Sequence, residues 1–233
     1  MERIRLKVTD GSTMEAVVER PAGKVGAGLL VLQEAFGVNG HIRNVARHYA
    51  DLGFTAIAPE LFHRTAPAGF EAAYTDFDSV REHMGGLTPR GLAADMRAAY
   101  EWLAGDAQIA PARIAAVGYC MGGRCAYLAN ADLPLAAAVS YYGGGIAPDL
   151  LDRATNQHGP LLMFWGGLDK HILPEQYRAV ADALSAAGAD HEQVVFAKAD
   201  HGFNCDERPA YNESASRQAL ALVLEFFRVR GVL

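Results

Sequence analysis

The segment Gly118-Tyr119-Cys120-Met121-Gly122 places a cysteine between two glycines where an apolar run ends. The run Ile114–Tyr119 is typical of a buried strand, and Met121–Ala131 is typical of a helix. The pattern is that of a G-x-S-x-G nucleophile elbow with cysteine in place of serine. A thiol there lies at a helix N-terminus, where the dipole favours the thiolate. We therefore interpret Cys120 as a nucleophile; the alternative is a small buried cysteine in a glycine-rich turn.

An acid and a base follow Cys120 in the chain order of an α/β-hydrolase triad. Asp169 comes directly after a late apolar run, and His201 comes after the last one. The imidazole would accept the thiol proton and later activate water, while the carboxylate would fix the tautomer of the imidazole. Asp200 is a rival for the acid, but neighbouring side chains in a loop rarely face each other. We favour Asp169.

The other histidines and cysteines receive simpler interpretations. His171 lies two residues after Asp169 and could flank the site. Cys125 points away from Cys120 on a helix and is expected to pack in the core. Cys205 lies in a loop and is either idle or lines a pocket. The remaining histidines are expected to be surface or loop residues: His41, His48, His63, His83, His158 and His191.

Strand and helix patterns alternate along the chain and predict an α/β fold with a mostly parallel, doubly wound sheet. An N-terminal antiparallel hairpin turns at Asp10-Gly11. The predicted strands after it are Ala27–Leu32, Thr55–Ala58, Ile114–Tyr119, Ala136–Tyr141, Leu161–Trp165 and Gln193–Phe196. The predicted helices are Ile42–Leu52, Pro89–Leu103, Met121–Ala131, Pro174–Ala187 and Ser214–Val229. We expect one domain over residues 1–233, and residues 63–90 form its least regular stretch, a long connection that covers or lines a site.

The composition excludes several classes of function. The net charge of −6 offers no basic surface for nucleic acid. Three cysteines give no disulfide framework, and no C-x-x-C spacing indicates zinc. The charged N-terminus does not look like a signal peptide, and no apolar run is long enough to span a bilayer. We expect a cytoplasmic protein without a membrane partner; the oligomeric state has no signature in the sequence.

Six short motifs in the same order resemble the dienelactone hydrolase (carboxymethylenebutenolidase) family. They are Gln33-Glu34-Ala35-Phe36-Gly37, Ala58-Pro59-Glu60-Leu61-Phe62, Gly118-Tyr119-Cys120-Met121-Gly122-Gly123, Tyr141-Tyr142-Gly143, Gly166-Gly167-Leu168-Asp169 and Asp200-His201-Gly202-Phe203. The resemblance implies an α/β-hydrolase fold and a hydrolase without cofactor or metal. Such an enzyme would cleave a small ester or lactone through a thioester on Cys120, with Asp169 and His201 completing the triad.

The resemblance also implies roles for residues around the triad. Glu34 would lie beside the thiol and take part in its activation. The alternative is a solvated loop glutamate, because glutamate is usually exposed. The backbone N–H groups of Ala35 and Met121 would form the oxyanion hole. Phe36 and Tyr142 fall within the shared motifs and are expected to line the substrate site.

The chain departs from the family at one position that binds substrate. Family members that cleave a carboxylate-bearing dienelactone carry an arginine four residues after the histidine, where this chain has Cys205. Arg208 lies three residues later, and Arg81 lies in the stretch that would hold a second family arginine. These two cations are the candidate anchors for an anionic substrate, and Arg64 is a further one.

Three other functions compete with a lactone hydrolase. One is a broader carboxylesterase or thioesterase. Another is a non-catalytic ligand-binding or redox-sensing protein that uses Cys120 as a reactive thiol, although such a protein has no need of Glu34, Asp169 and His201 together. A nucleotide-binding domain is the weakest, because neither a G-x-G-x-x-G after the first parallel strand nor a G-x-x-x-x-G-K-[ST] is present.

Overall fold

The chain forms a hairpin and then alternates between strands and helices. A computed structural model describes residues 1–23 and 26–233. The strands are β1 (Glu2–Lys7), β2 (Thr13–Glu19), β3 (Ala27–Leu32), β4 (Phe54–Pro59), β5 (Ile114–Tyr119), β6 (Ala137–Tyr141), β7 (Leu161–Gly166) and β8 (His191–Phe196). The α-helices are α1 (Gly40–Asp51), α2 (Phe77–Gly85), α3 (Pro89–Ala104), α4 (Met121–Asp132), α5 (Pro174–Ala186) and α6 (Glu213–Val229), and short 3-10 turns occupy Pro111–Arg113 and Leu151–Asn156.

The strands form one sheet in the order β1-β2-β4-β3-β5-β6-β7-β8. The hairpin strands β1 and β2 pair antiparallel, and β2 joins the rest through an antiparallel pairing with β4. From β4 to β8 every pairing is parallel. This is the α/β-hydrolase arrangement, so the predicted fold class and the N-terminal hairpin are confirmed.

The central strands are buried on both faces, as apolar runs without alternation predict. Every residue of β3, β4, β5, β6 and β7 is buried, whereas β8 at the sheet edge is only partly covered. Helices α3 and α4 pack on each other, and α1 and α6 line a common cavity. Within the described residues, no helix is both long enough and apolar enough to cross a membrane.

The least regular stretch, residues 63–90, contains a helix that the sequence interpretation missed. Helix α2 begins after Asp76, whose side chain accepts a hydrogen bond from the backbone N–H of Ser79. It was missed because it is short and buries a single residue, Val80, which leaves no repeating apolar stripe. Val80 packs with Ala35 and Phe36 in a small separate cluster, so this stretch covers the loop after β3.

Candidate active site

The turn between β5 and α4 holds Cys120 in a backbone conformation that few residues other than glycine adopt. Its φ is 55° and its ψ is −115°. A Cβ at Gly118 would lie 1.8 Å from the carbonyl oxygen of Gly122, and a Cβ at Gly122 would lie 2.1 Å from the carbonyl oxygen of Leu32. The two flanking glycines are therefore required by close backbone contacts, and they let the turn present the thiol at the carboxyl edge of the sheet.

Cys120, His201 and Asp169 form one continuous chain of polar contacts. Nε2 of His201 lies 3.1 Å from Sγ of Cys120, and Nδ1 of His201 lies 2.7 Å from Oδ2 of Asp169. The three residues follow β5, β8 and β7, whose carboxyl ends lie at the same edge of the sheet. The order β5-β6-β7-β8 places these strand ends side by side, so residues far apart in sequence meet there.

The two candidate acids have different partners. The second oxygen of Asp169 accepts hydrogen bonds from the backbone N–H groups of His171 and Ile172 at 2.7 and 3.1 Å, which fixes the carboxylate toward the imidazole. Asp200 is exposed and accepts a hydrogen bond from the backbone N–H of His201 at 2.7 Å. The structure therefore brings Asp169, and not Asp200, to the imidazole ring.

The contacts around His201 favour its charged form. Burial opposes a charged imidazole, but the hydrogen bonds with Asp169 and Cys120 outweigh it and raise the pKa of His201 to about 10. Burial likewise opposes a charged Asp169, yet the hydrogen bonds from His201, His171 and Ile172 lower its pKa. An imidazolium between a carboxylate and a sulfur atom is suited to stabilising a thiolate.

Glu34 is a fully buried carboxyl group beside this arrangement. It follows β3, none of its surface is exposed, and neither side-chain oxygen has a hydrogen-bond partner among the described residues. The guanidinium of Arg208 lies 3.6 Å from Oε1 of Glu34. Burial raises the pKa of Glu34 to about 7, although Arg208 and His201 both favour the carboxylate. Glu34 is not a solvated loop residue, and its proton can be gained or lost near neutral pH.

Two backbone N–H groups are free to bind an oxyanion. Met121 is the first residue of α4, so its N–H has no partner within the helix. Ala35 follows Glu34 in the loop after β3, and in the described part of the chain its N–H donates no hydrogen bond. A Cβ at Gly122, next to Met121, would lie 2.6 Å from the carbonyl oxygen of Gln33, so the two loops run close together.

The two aromatic candidates for substrate contact are buried. Phe36 is 2 % exposed and packs edge-on against Tyr74 and Phe77 of the covering stretch, with ring centroids 4.8 and 5.4 Å apart. Tyr142 has no exposed surface, and its ring centroid lies 5.1 Å from that of His201. In this structure Phe36 supports the loop of Ala35, and Tyr142 supports the imidazole.

The three candidate arginines have different surroundings. Arg81 is 79 % exposed and pairs with Asp78 on its own helix. Arg64 is already paired with two carboxylates, those of Asp10 and Asp95. The side chain of Arg208 is only 16 % exposed, so Arg208 is not an ordinary exposed loop arginine. Its guanidinium lies over the rings of Phe36 and Tyr74 at 5.9 and 5.6 Å, which holds it beside Glu34.

One histidine that was expected to be a surface or loop residue, His41, is buried in a helix, so that expectation is wrong for it. His63 lies in a turn after β4, as expected, with Nε2 3.0 Å from Oδ1 of Asp95. His41 is 4 % exposed in the first turn of α1 and contacts Asp206. No sequence pattern marks it, because it is buried by the loop that carries Asp206, which is distant in sequence. His171 does flank the site, with its ring 5.2 Å from that of His201.

One group of side chains offers the atom types that bind a metal. A ring nitrogen of His41, a carboxylate oxygen of Glu34 and Sγ of Cys205 all lie within 4.8 Å of one another. The guanidinium of Arg208 beside Glu34 repels a cation, however. Burial also raises the pKa of Cys205 to about 11, so its thiol stays protonated and donates to the Tyr74 hydroxyl at 3.1 Å. These charges make the group a poor metal site.

Comparison with known proteins assigns this site to a family. The sequence profile of the Dienelactone hydrolase family matches residues 14–230. The chain belongs to the dienelactone hydrolase family. A Salmonella typhimurium protein named "Putative carboxymethylenebutenolidase" is 35 % identical over 96 % of this chain and 85 % of its own. The "Carboxymethylenebutenolidase" of Pseudomonas putida is 29 % identical, over 97 % and 95 %.

A solved structure agrees with this membership. The crystal structure of a "Putative Dienelactone Hydrolase" from Klebsiella pneumoniae has a TM-score of 0.86 and 29 % identity, over 97 % of this chain and 98 % of that chain. As a member of the dienelactone hydrolase family, this protein is a hydrolase that acts on ester bonds. Membership of a hydrolase family excludes the alternative of a non-catalytic ligand-binding or redox-sensing protein that uses Cys120 as a reactive thiol.

Replacing the candidate acid separates it from its neighbour. We expect Asp169→Asn to lower kcat/KM about 100- to 10,000-fold, because an amide no longer favours the productive tautomer of the imidazole. The matched control is Asp200→Asn, whose side-chain oxygen can still accept the hydrogen bond of the His201 backbone, and it should leave kcat/KM nearly unchanged. Equal losses in the two variants would contradict the choice of Asp169.

Proposed function

We propose that the protein is a cysteine-dependent hydrolase of a small ester or lactone that works through a thioester intermediate. The observation that carries the proposal is the 3.1 Å contact between Sγ of Cys120 and Nε2 of His201, whose other nitrogen lies 2.7 Å from Asp169. The thiol, imidazole and carboxylate follow three different strands. The thiol contacts the base that would take its proton, and the base contacts the acid that would orient it.

In the acylation step, the Cys120 thiolate attacks the carbonyl carbon of the ester and forms a carbon–sulfur bond. The carbonyl oxygen becomes an oxyanion, which the backbone N–H groups of Ala35 and Met121 stabilise. The tetrahedral intermediate then collapses and the bond to the alcohol oxygen breaks. The leaving alcoholate takes the proton of the His201 imidazolium, so the products of this step are a thioester, an alcohol and neutral His201.

In the deacylation step, neutral His201 accepts a proton from water as the water oxygen attacks the thioester carbonyl. The carbon–sulfur bond breaks, the acid leaves, and the thiolate and imidazolium are restored. Asp169 holds the ring orientation through both steps and stabilises the imidazolium. We also assign Glu34 a part in activating the Cys120 thiol. It is buried beside the thiolate–imidazolium pair, and its pKa of about 7 lets it gain or lose a proton near neutral pH.

The mechanism needs no metal or cofactor, since the thiolate supplies the nucleophile and backbone N–H groups supply the oxyanion site. It does require a reduced thiol, and Cys120, Cys125 and Cys205 are all free. A reducing compartment such as the cytoplasm suits this chemistry. A small molecule is the partner that the proposal requires.

For the substrate, we propose a lactone or ester that bears a carboxylate, with Arg208 as its anchor. Arg208 is held beside the site by Phe36 and Tyr74, and its only carboxylate partner among the described residues is Glu34 at 3.6 Å. A guanidinium can bind a second carboxylate in a bidentate manner. Arg81 is exposed and already paired on its own helix, which makes it the weaker of the two anchors.

A panel of small esters and lactones tests the catalytic part. Cys120→Ala should abolish turnover of every substrate, whereas Cys125→Ala, which removes a buried thiol on the same helix, should retain it. Exhaustive dialysis against a chelator should leave the rate unchanged. Turnover by Cys120→Ala at the wild-type rate would refute the proposed nucleophile, and rapid turnover of thioesters alone would favour a thioesterase.

The charge of the substrate is tested by comparing a carboxylate-bearing lactone with a neutral ester of similar size. We expect Arg208→Gln to lower kcat/KM for the anionic substrate about 10- to 100-fold more than for the neutral one, because one charge-assisted contact is lost. Arg81→Gln should leave this ratio unchanged. If Arg208→Gln affects both substrates equally, the arginine acts through Glu34 and not on the substrate.

A further inference from the structure

A second carboxylate–imidazole pair, Asp206 and His41, lies close to Glu34. Nδ1 of His41 lies 3.5 Å from Oδ1 of Asp206. His41 is buried in the first turn of α1, whereas the side chain of Asp206 is 70 % exposed. Both residues line a cavity of about 220 Å³ between α1 and α6, so the pair connects a buried imidazole with solvent.

His41 also lies close to the buried carboxyl group of Glu34. A ring nitrogen of His41 and an oxygen of Glu34 lie within 4.8 Å of each other, together with Sγ of Cys205. Nε2 of His41 and both oxygens of Glu34 are buried and have no hydrogen-bond partner among the described residues. A separation of this size is spanned by one bridging water molecule or closed by a small side-chain movement.

The partner of Nδ1 decides what Nε2 can do. A carboxylate accepts hydrogen bonds, so Asp206 favours the tautomer of His41 that carries its hydrogen on Nδ1. Nε2, which is buried without a partner among the described residues, then carries a free lone pair, and we infer that this lone pair accepts the proton of Glu34. A lone pair and a carboxylate oxygen repel each other unless a proton lies between them. Leaving both groups buried and unpaired would carry an uncompensated desolvation cost.

We propose that Glu34 and His41 hold one proton between them, and that Asp206 fixes His41 in the tautomer that accepts it. The proposal rests on the proposed function, because it assigns the regulation of the same buried carboxyl group. His41 is thus a positioning residue that acts through Glu34 and does not touch the substrate.

The proton has two positions. In one, Glu34 is a neutral carboxylic acid whose O–H is donated toward Nε2, directly or through one water, and His41 is neutral. In the other, the proton has moved to Nε2, Glu34 is a carboxylate, and the imidazolium points its Nδ1–H at Asp206. Burial raises the pKa of Glu34 and lowers that of His41, which favours the first position in the resting enzyme.

The charges around the pair allow the second position as well. Arg208 favours ionised Glu34, and Asp206 favours charged His41. Other titratable or charged groups surround the pair, and they lie on the elements packed around it. On α1 and the sheet they are His48, Tyr49, Tyr119, Tyr141 and Tyr142, and the stretch of residues 63–90 adds Tyr74. The loop after β8 contributes His201, Cys205, Asp206, Glu207, Arg208 and Tyr211.

Nuclear magnetic resonance reads the shared proton without any substrate. In protein labelled with ¹⁵N-histidine and with ¹³C at the glutamate carboxyl carbon, the signals are assigned by their absence in His41→Gln and Glu34→Gln. We expect Nδ1 of His41 to carry hydrogen and Nε2 to carry none. We also expect the Nε2 shift and the Glu34 carboxyl shift to titrate with one common midpoint. A wild-type His41 that carries hydrogen on Nε2 and none on Nδ1, or two unrelated midpoints, would overturn the proposal.

Two variants test the tautomer from opposite sides of the ring. His41→Gln should move the Glu34 midpoint to lower pH by about one unit, since an N–H donor that favours the carboxylate replaces an acceptor that favours the acid. Asp206→Asn should shift it in the same direction, because an amide can donate to Nδ1 and favour hydrogen on Nε2. Asp206 is exposed, so this variant keeps the test valid even if His41→Gln does not fold.

Controls separate the tautomer from simple charge effects. Glu207→Gln removes a carboxylate that also raises the pKa of Glu34. The shift of the Glu34 midpoint in this variant measures the effect of removing a nearby charge through space. The shift of the midpoint in Asp206→Asn must be larger than that. His48→Gln changes an exposed histidine later on α1 and should leave the midpoint unchanged. An Asp206→Asn shift no larger than that of Glu207→Gln would refute the role of the tautomer.

The pH profile of kcat/KM links the pair to catalysis. Glu34→Gln should remove one limb of this pH profile. His41→Gln should shift that same limb along the pH axis, and when it is added to Glu34→Gln it should change the profile no further. An even loss of activity at all pH values, or a shift that persists without Glu34, would contradict action through Glu34. Turnover by Cys120→Ala would refute the proposed function alone, because the resonance result does not depend on turnover.

Discussion

The backbone turn at Cys120 is the constraint on which the rest of the site depends. A non-glycine residue at φ 55° and ψ −115° persists only where its surroundings hold it. Here the carbonyl groups of Leu32 and Gly122 approach so closely that a Cβ at Gly118 or Gly122 has no room. The same packing that fixes the thiol therefore also brings the end of β3 against the start of α4. This is why Ala35 and Met121 can share an oxyanion site.

Charge balance is the second constraint, because several ionisable groups are buried around one sulfur atom. His201 is favoured as a cation by Asp169 and Cys120, and Arg208 adds a second positive charge. Glu34 is the group that can adjust, since burial and the two cations oppose each other and leave its pKa about 7. A buried acid of this kind gives the site a proton that can move near neutral pH, while His201 and Asp169 keep their charges in the resting enzyme.

The sequence was sufficient for the parts that local pattern controls. Buried strands show as apolar runs, so the fold class could be predicted. The two glycines around Cys120 form a short local motif, so Cys120 could be proposed as the nucleophile. Helix α2 lacked a repeating stripe and was missed. The burial of His41 and the direction of Arg208 arise from a loop after β8 that folds back onto α1 and onto Phe36, and such long-range packing leaves no local signal.

The central claim is that hydrolysis passes through a thioester on Cys120, and trapping that intermediate is its most direct test. The enzyme is mixed for milliseconds with an activated ester that deacylates slowly, quenched in acid, digested and analysed by mass spectrometry. The account predicts an acyl group on the peptide that contains Cys120, formed as fast as the alcohol is released and then lost at the rate of turnover. Alcohol release at the full rate with no acyl group on Cys120, or with the acyl group on Cys125 or Cys205, would contradict it.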